Sequence, residues 1–319
     1  FIAGKLALRF GKRILLAASA LTYSLACLLY FTSSSPLHLM GARLVDGIGM
    51  ALLWPAVEAL LAESAGLGGP EMVSNFGVAW SLGAAAGALG SSWFLGIGGY
   101  RDAFLPGMVM SLCLCVAALA FVSISREERN ETNDMGNEAE PPDPLALKPV
   151  WLTAFLYSFC QGTVFSLYPP YAKLIGIPDF IIGLVVASIM TGRTLIFLLF
   201  RKLGRSFGSL AIAGSALMAL AIMPVSLSRN PEMVLSFGMF LGFGAGLVYA
   251  ASIRTALSVQ ARNRTRYAGF FEGSIGLGYL LGPFVGGWVA QYALQGPYIA
   301  CATVCLGTLA VVATHKIAK

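Results

Sequence analysis

The sequence predicts an all-α, polytopic membrane protein: two helical bundles related by an internal repeat, with ten helices present. Three observations predict it. The 319 residues are 57% hydrophobic and only 11% charged, where a soluble domain carries about 25% charge; mean hydropathy is +0.76. The apolar residues gather into ten segments, each long enough to cross a hydrocarbon core about 30 Å thick. The second half also echoes the first. Gly47-x-Gly49 recurs as Gly242-x-Gly244, and Gly83-x-x-x-Gly87 with Trp93 recurs as Gly278-x-x-x-Gly282 with Trp288, all 195 residues on. Lys5-Leu6 with Phe10-Gly11 recurs as Lys202-Leu203 with Phe207-Gly208, 197 residues on. Duplicated membrane bundles of this kind are a common plan for carriers, with the solute site near the repeat interface.

A basic loop (Lys5, Arg9, Lys12, Arg13) precedes the first segment, 14–31. Segments 38–62, 73–98 and 103–124 follow, and residues 1–124 form the expected first bundle. Residues 125–149 hold seven acids and the run Pro141-Pro142-Asp143-Pro144. They are too polar to fold alone and read as a linker. The second bundle, 150–319, begins after Pro149. It contains segments 150–175, 179–200, 209–227, 232–258, 267–294 and 297–314.

Basic residues set the orientation. Of 21 lysines and arginines, fifteen fall in one set of loops and three (Arg101, Lys173, Arg229) in the other; Arg43, Arg193 and Arg254 lie within segments. The loop at 1–13, the linker and the C-terminus are therefore expected in the cytoplasm, with the protein in the plasma (inner) membrane. The net charge of +6 reports topology and implies no nucleic-acid partner. All six cysteines lie in apolar segments and read as packing residues. His38 and His315 stand alone, so neither a metal site nor a cofactor is expected. An intramembrane enzyme would need a catalytic cluster, and the sequence offers none.

Charge inside a bilayer costs about 2.5–3.5 kcal/mol per residue on insertion scales, so each instance needs a reason. Arg43, Gly47, Met50, Trp54 and Glu58 are spaced 4, 3, 4 and 4, one face of a helix. Asp46 stands at i+3 from Arg43 and can pair with it. This stripe is a candidate solute or coupling surface; the alternative is an internal pair that fixes packing. Gly238, Gly242, Gly244 and Gly246 point to close helix packing, whereas Tyr249 and Arg254 are candidates for a cavity wall. Glu272 is a candidate partner for Arg254. Arg193 lies deeper, facing either a cavity or a carbonyl. On segment 150–175, Gln161 and Tyr157 are polar, and Tyr168-Pro169-Pro170-Tyr171 reads as a gate or as a helix end. Trp80, Trp93 and Trp288 read as packing or anchoring residues.

Gly4-Lys5-Leu6-Ala7-Leu8-Arg9-Phe10-Gly11-Lys12-Arg13 resembles the loop signature of the major facilitator superfamily, Gly-x-Leu-Ala-Asp-Arg-x-Gly-Arg-Arg. Arg43-Leu44-Val45-Asp46-Gly47-Ile48-Gly49 is similar to that family's Arg-x-x-x-Gly-x-Gly signature in helix 4. Gly278 through Gly287, with Gly282-Pro283 at its centre, resembles Gly-x-x-x-Gly-Pro-x-x-Gly-Gly. The resemblance implies that the ten segments correspond to family helices 3 through 12, with the chain opening in the loop after helix 2. It implies a loop motif of Gly4, Arg9, Gly11, Lys12 and Arg13, with Arg9 paired to Glu63, and a gating role for Gly282 and Pro283. Leu8 replaces the family's latch aspartate, and Gly87-Ala88 lacks the proline that follows in the second copy.

The expected function is secondary transport of a small solute by alternating access, coupled to protons through Glu58, Asp46 or Glu272, by a monomer in the lipid bilayer. The rival readings are a non-transporting sensor or scaffold on the same fold, or an inactive piece of a carrier.

Overall fold

A computed structural model of the chain describes residues 11–64, 70–122, 147–203, 206–258 and 261–317. Every expected segment is a helix, and ten helices among the described residues are long and apolar enough to span a membrane. They are α1 (Lys12–Thr32), α2 (Pro36–Ser64), α3 (Pro70–Ile97), α4 (Phe104–Phe121), α5 (Lys148–Leu174), α6 (Asp179–Leu199), α7 (Phe207–Leu227), α8 (Pro231–Leu257), α9 (Ala261–Ala290) and α10 (Gly296–Ile317). One 3₁₀ turn, Phe200–Lys202, follows α6.

Local chemistry sets the boundaries. Pro36, Pro70 and Pro231 open their helices, where the missing N–H would have had no partner in any case. Asn230 caps α8 by accepting from the Glu232 N–H at 2.9 Å. Gly99 and Gly176, at φ 98° and 85°, follow α3 and α5 in the left-handed region that glycine adopts without strain. The helix α9 begins at Ala261, six residues before the apolar segment, so its basic first turns extend beyond the span.

The chain divides into two compact units, residues 1–64 with 98–146 and residues 65–97 with 147–319. In the first, α1 packs against both α2 and α4. Ser19 Oγ donates to the Gly49 carbonyl at 3.0 Å, and Tyr30 stacks on Phe104 at 4.7 Å. Leu15, Leu16, Ala20, Ala56, Cys115 and Ala118 fill the core.

In the second unit α5 packs on α9, α8 on both α6 and α7, α3 on α6, and α10 on α7 and α5. Thus α3, which the repeat places with the first half, is grouped by its contacts with the second. Glycines set these approaches. A Cβ at Gly278 would strike the α5 backbone near Phe155 and Phe159, and one at Gly282 would strike the Phe159 carbonyl. Gly242 lies as closely on the Ile189 backbone of α6. The small residues of α8 and α9 are therefore packing devices.

Candidate functional site

The second unit contains a fully buried guanidinium. Arg193 on α6 is 0% exposed, and the glycine stripe of α8 explains what covers it. A Cβ at Gly246 would sit 3.3 Å from the Arg193 Cα, so α8 runs close enough to lay Tyr249 over the arginine. The Arg193 Cζ lies 4.3 Å from the Trp80 ring centroid, 5.5 Å from that of Tyr157 and 5.6 Å from that of Tyr249. Four helices, α3, α5, α6 and α8, thus enclose one charge.

Polar contacts to it are few. Nη2 donates to the Tyr157 hydroxyl, and the Tyr279 phenol lies beside both groups. Nε and Nη1 meet no acceptor among the described residues. No carboxylate lies within ion-pair distance of Arg193 among them either. Glu272, two turns before Tyr279 on α9, is the acid whose field reaches that tyrosine. One turn beyond Tyr157 on α5, Gln161 is fully buried, with neither amide atom hydrogen-bonded.

Aromatic residues extend the cage. Tyr249 is 5.8 Å from Trp80, 6.0 Å from Tyr157, 6.0 Å from Phe197 and 5.7 Å from Phe271. The seam between α3 and α6 that brings Trp80 in is built of small groups. Gly77 faces the Phe197 ring, Ser81 and Thr194 hydroxyls meet at 2.7 Å, and Ser74 Oγ donates to the Phe197 carbonyl at 2.7 Å. A cavity of about 10 Å³ borders Tyr157, between Thr153, Ser215, Val248 and Cys305. The cage is closed in this conformation.

The stripe on α2 lies in the first unit. Arg43 Nη1 and Asp46 Oδ2 pair at 2.7 Å, with the arginine side chain 73% exposed and the aspartate 19%. Tyr30 donates to the same carboxylate at 3.3 Å. Gly47 is open and Met50 is exposed, while Trp54 is half-buried. The side chains of Glu58 and Glu63 lie outside the described residues, as do Gly4 and Arg9. Of the loop motif, Gly11 adopts φ 84°, Lys12 opens α1, and Arg13 donates to the Leu119 carbonyl.

The structure therefore brings together Arg193, Tyr249 and Tyr157, with Tyr279 beside them and Glu272 within electrostatic reach of Tyr279. The Arg254 guanidinium lies 5.2 Å from the Phe200 ring centroid. The run Tyr168-Pro169-Pro170-Tyr171 continues the helix, since α5 extends to Leu174. Tyr171 donates to the Ser226 carbonyl at 2.6 Å and lies 5.3 Å from the Tyr298 ring. Sequence reading missed Trp80 as a cage wall, along with Tyr279 and Phe271. No spacing along one helix signals a cluster drawn from five.

The Major Facilitator Superfamily family model matches residues 1–258 and, again, 203–316. The chain is 25% identical to Multidrug resistance protein 2 of Bacillus subtilis over 315 residues, covering 93% of this chain and 77% of that protein. It is 23% identical to the proton-coupled antiporter flippase LtaA of Staphylococcus saprophyticus, over 92% and 74% respectively. The crystal structure of the human organic anion transporter MFSD10 (TETRAN) superimposes with a TM-score of 0.71 at 16% identity, covering 97% of this chain and 79% of that one. With ten helices among the described residues long and apolar enough to cross a membrane, a repeated glycine framework and a family model spanning most of its length, this chain belongs to the major facilitator superfamily of membrane transporters.

Proposed function

We propose that the chain moves a small solute across the plasma (inner) membrane as a monomer, by alternating access and coupled to protons. The bundles are residues 1–124 and 150–319, joined by a cytoplasmic linker at 125–149, and Glu58, Asp46 or Glu272 is the group that couples. The observation that carries this reading is Arg193. A buried guanidinium with no carboxylate beside it among the described residues is costly, and within a membrane such a residue marks a pathway. The named activities of the relatives, multidrug resistance and proton-coupled antiport, support the same reading.

On this assignment the α3–α6 seam joins a helix of one bundle to a helix of the other, and rocking must slide it. Its small side chains and sparse hydrogen bonds suit sliding. Ser81 and Thr194, whose hydroxyls meet at 2.7 Å, locate the test. In proteoliposomes, the double variant Ser81→Cys with Thr194→Cys is expected to lose dye flux on oxidation and regain it on reduction, while each single variant is unaffected. Flux that persists through a formed crosslink would refute alternating access at this seam. Proton coupling is read by internal pyranine: dye movement is expected to carry a matched pH change, and a solute gradient that moves no protons removes that part of the proposal.

A further inference from the structure

We propose that Arg193 is the anion-recognising group of the solute site, and that the solute class is an organic carboxylate or sulfonate with a flat apolar body. This rests on the transporter reading above and names its substrate class.

Two independent observations carry it. The first is the guanidinium's own accounting. Arginine stays charged under all physiological conditions, and here its polar neighbours are two phenols, Tyr157 and Tyr279, while Nε and Nη1 have no hydrogen-bond partner among the described residues. Three aromatic faces cover the charge. Ring quadrupoles attract a cation, but they accept no in-plane N–H bond and cancel no charge. The residue is held as a donor awaiting an acceptor. The second observation is Gln161, fully buried one turn from Tyr157 on α5, with its amide oxygen and nitrogen both unpartnered. Buried polar groups are satisfied as a rule. Two unsatisfied side chains on either side of Tyr157 therefore call for a polar partner that the described residues do not supply.

The surroundings select the rest of the solute. Trp80, Tyr157, Tyr249, Phe197 and Phe271 form a continuous set of ring contacts, which favours flat, polarisable partners. A cationic solute is disfavoured, because it would meet a like charge with no acid among the described residues within ion-pair distance of Arg193. The cavity beside Tyr157, at about 10 Å³, admits no solute, so binding belongs to a conformation in which α3 or α8 has moved off the arginine. The rings then serve to cover the charge between transport cycles.

The test uses two dyes with the same tricyclic body, 5-carboxyfluorescein as the anion and rhodamine 6G as the cation, added to the purified full chain in lipid nanodiscs. Saturable anisotropy is expected for carboxyfluorescein, weakened about tenfold or more by Arg193→Met and partly restored by Arg193→Lys. Carboxyfluorescein binding that is equal in Arg193→Met and wild type, or preferential binding of rhodamine 6G, would overturn the proposal. Wild-type protein alone gives a second reading that no folding defect can obscure: benzoate must displace the anionic dye at concentrations where benzylamine does not. Equal displacement by both would also overturn it. Dye flux in proteoliposomes separates the two claims. Arginine-dependent anion binding without flux leaves the site and removes transport; flux of rhodamine 6G alone does the reverse.

Discussion

The two copies of the glycine framework share a spacing and differ in what they touch. In the second copy, Gly242 and Gly244 lie against the backbones of α6 and α7, and Gly278 and Gly282 against α5. In the first copy, a Cβ placed on Gly47, Gly83 or Gly87 would meet nothing within 4 Å among the described residues, and one on Gly49 would meet the Tyr23 ring at 3.3 Å. Among the described residues the same motif is a close-packed joint in one region and meets almost no neighbour in the other. A glycine pattern therefore encodes permission for close approach, and the partner helix decides whether the permission is used.

The largest effect should follow from filling a joint. Gly242→Leu and Gly282→Leu each drive a side chain into a backbone carbonyl, which cannot move aside as a flexible side chain can. Overpacking costs typically 1–3 kcal/mol, and a backbone obstacle places these at about 3 kcal/mol or above. Thermal melting in detergent is expected to show both variants unfolding well below wild type, or not assembling. Wild-type melting for either would mean that α8 and α9 stand off their partners.

The next effect has the opposite sign. Arg193 is charged, buried and without a counter-ion among the described residues, so its burial cost is offset there by rings and two phenols. Replacing a buried ionic group with an apolar one of similar volume is commonly neutral or stabilising, by about 1–4 kcal/mol. Arg193→Met should therefore melt at or above the wild-type temperature while losing flux. A variant that melts early instead would identify the arginine as a structural pin, and its place in the site would fall with it.

The glycine joints and the arginine cage differ in how far the sequence displays them. The ten helices are readable because a bilayer demands long apolar runs, and the lysine and arginine asymmetry is readable for the same reason. The packing role of Gly238, Gly242 and Gly246 follows from their spacing of four. Arg193, Tyr249 and Gln161 each stand out as polar residues in apolar surroundings. What the sequence does not display is that Trp80, read as a packing residue, stacks on Arg193 from a helix more than a hundred residues earlier. Such a contact depends on the α3–α6 seam, which is written in alanines, glycines and serines too common to single out. The placement of α3 with the second unit is hidden for the same reason. The repeat records ancestry, whereas contact follows side-chain size.

The open copy gives a smaller effect again. Gly83→Ala and Gly87→Ala add a methyl group where nothing among the described residues is within reach, and alanine favours the helix over glycine by about 0.5–1 kcal/mol. Both are expected to raise the melting temperature slightly in this chain. Gly278→Ala, at the matching position of the closed copy, is expected to lower it. If the two copies respond alike, the difference in packing between them does not exist.

The smallest stability effect should come from the first unit's charged pair, which is the counterpart in kind to Arg193. The Arg43–Asp46 contact is short, at 2.7 Å, but its arginine is 73% exposed, and exposed pairs contribute about 0–1 kcal/mol. Losing Arg43 also leaves Asp46 with a remaining donor, the Tyr30 hydroxyl at 3.3 Å, so no carboxylate is stranded. Arg43→Met is therefore expected to shift melting by less than about 1 kcal/mol, with Asp46→Asn costing no more, and a double-mutant cycle should return a coupling in the same range. Flux is the informative readout. If the pair serves coupling, both single variants lose proton-linked movement far beyond their effect on stability. If it only fixes the α1–α2 packing, flux and melting fall together. The two arginines then separate cleanly: one is buried at the expense of the fold and, as proposed, kept for its ligand, the other is exposed at little cost and kept, if at all, for its partner.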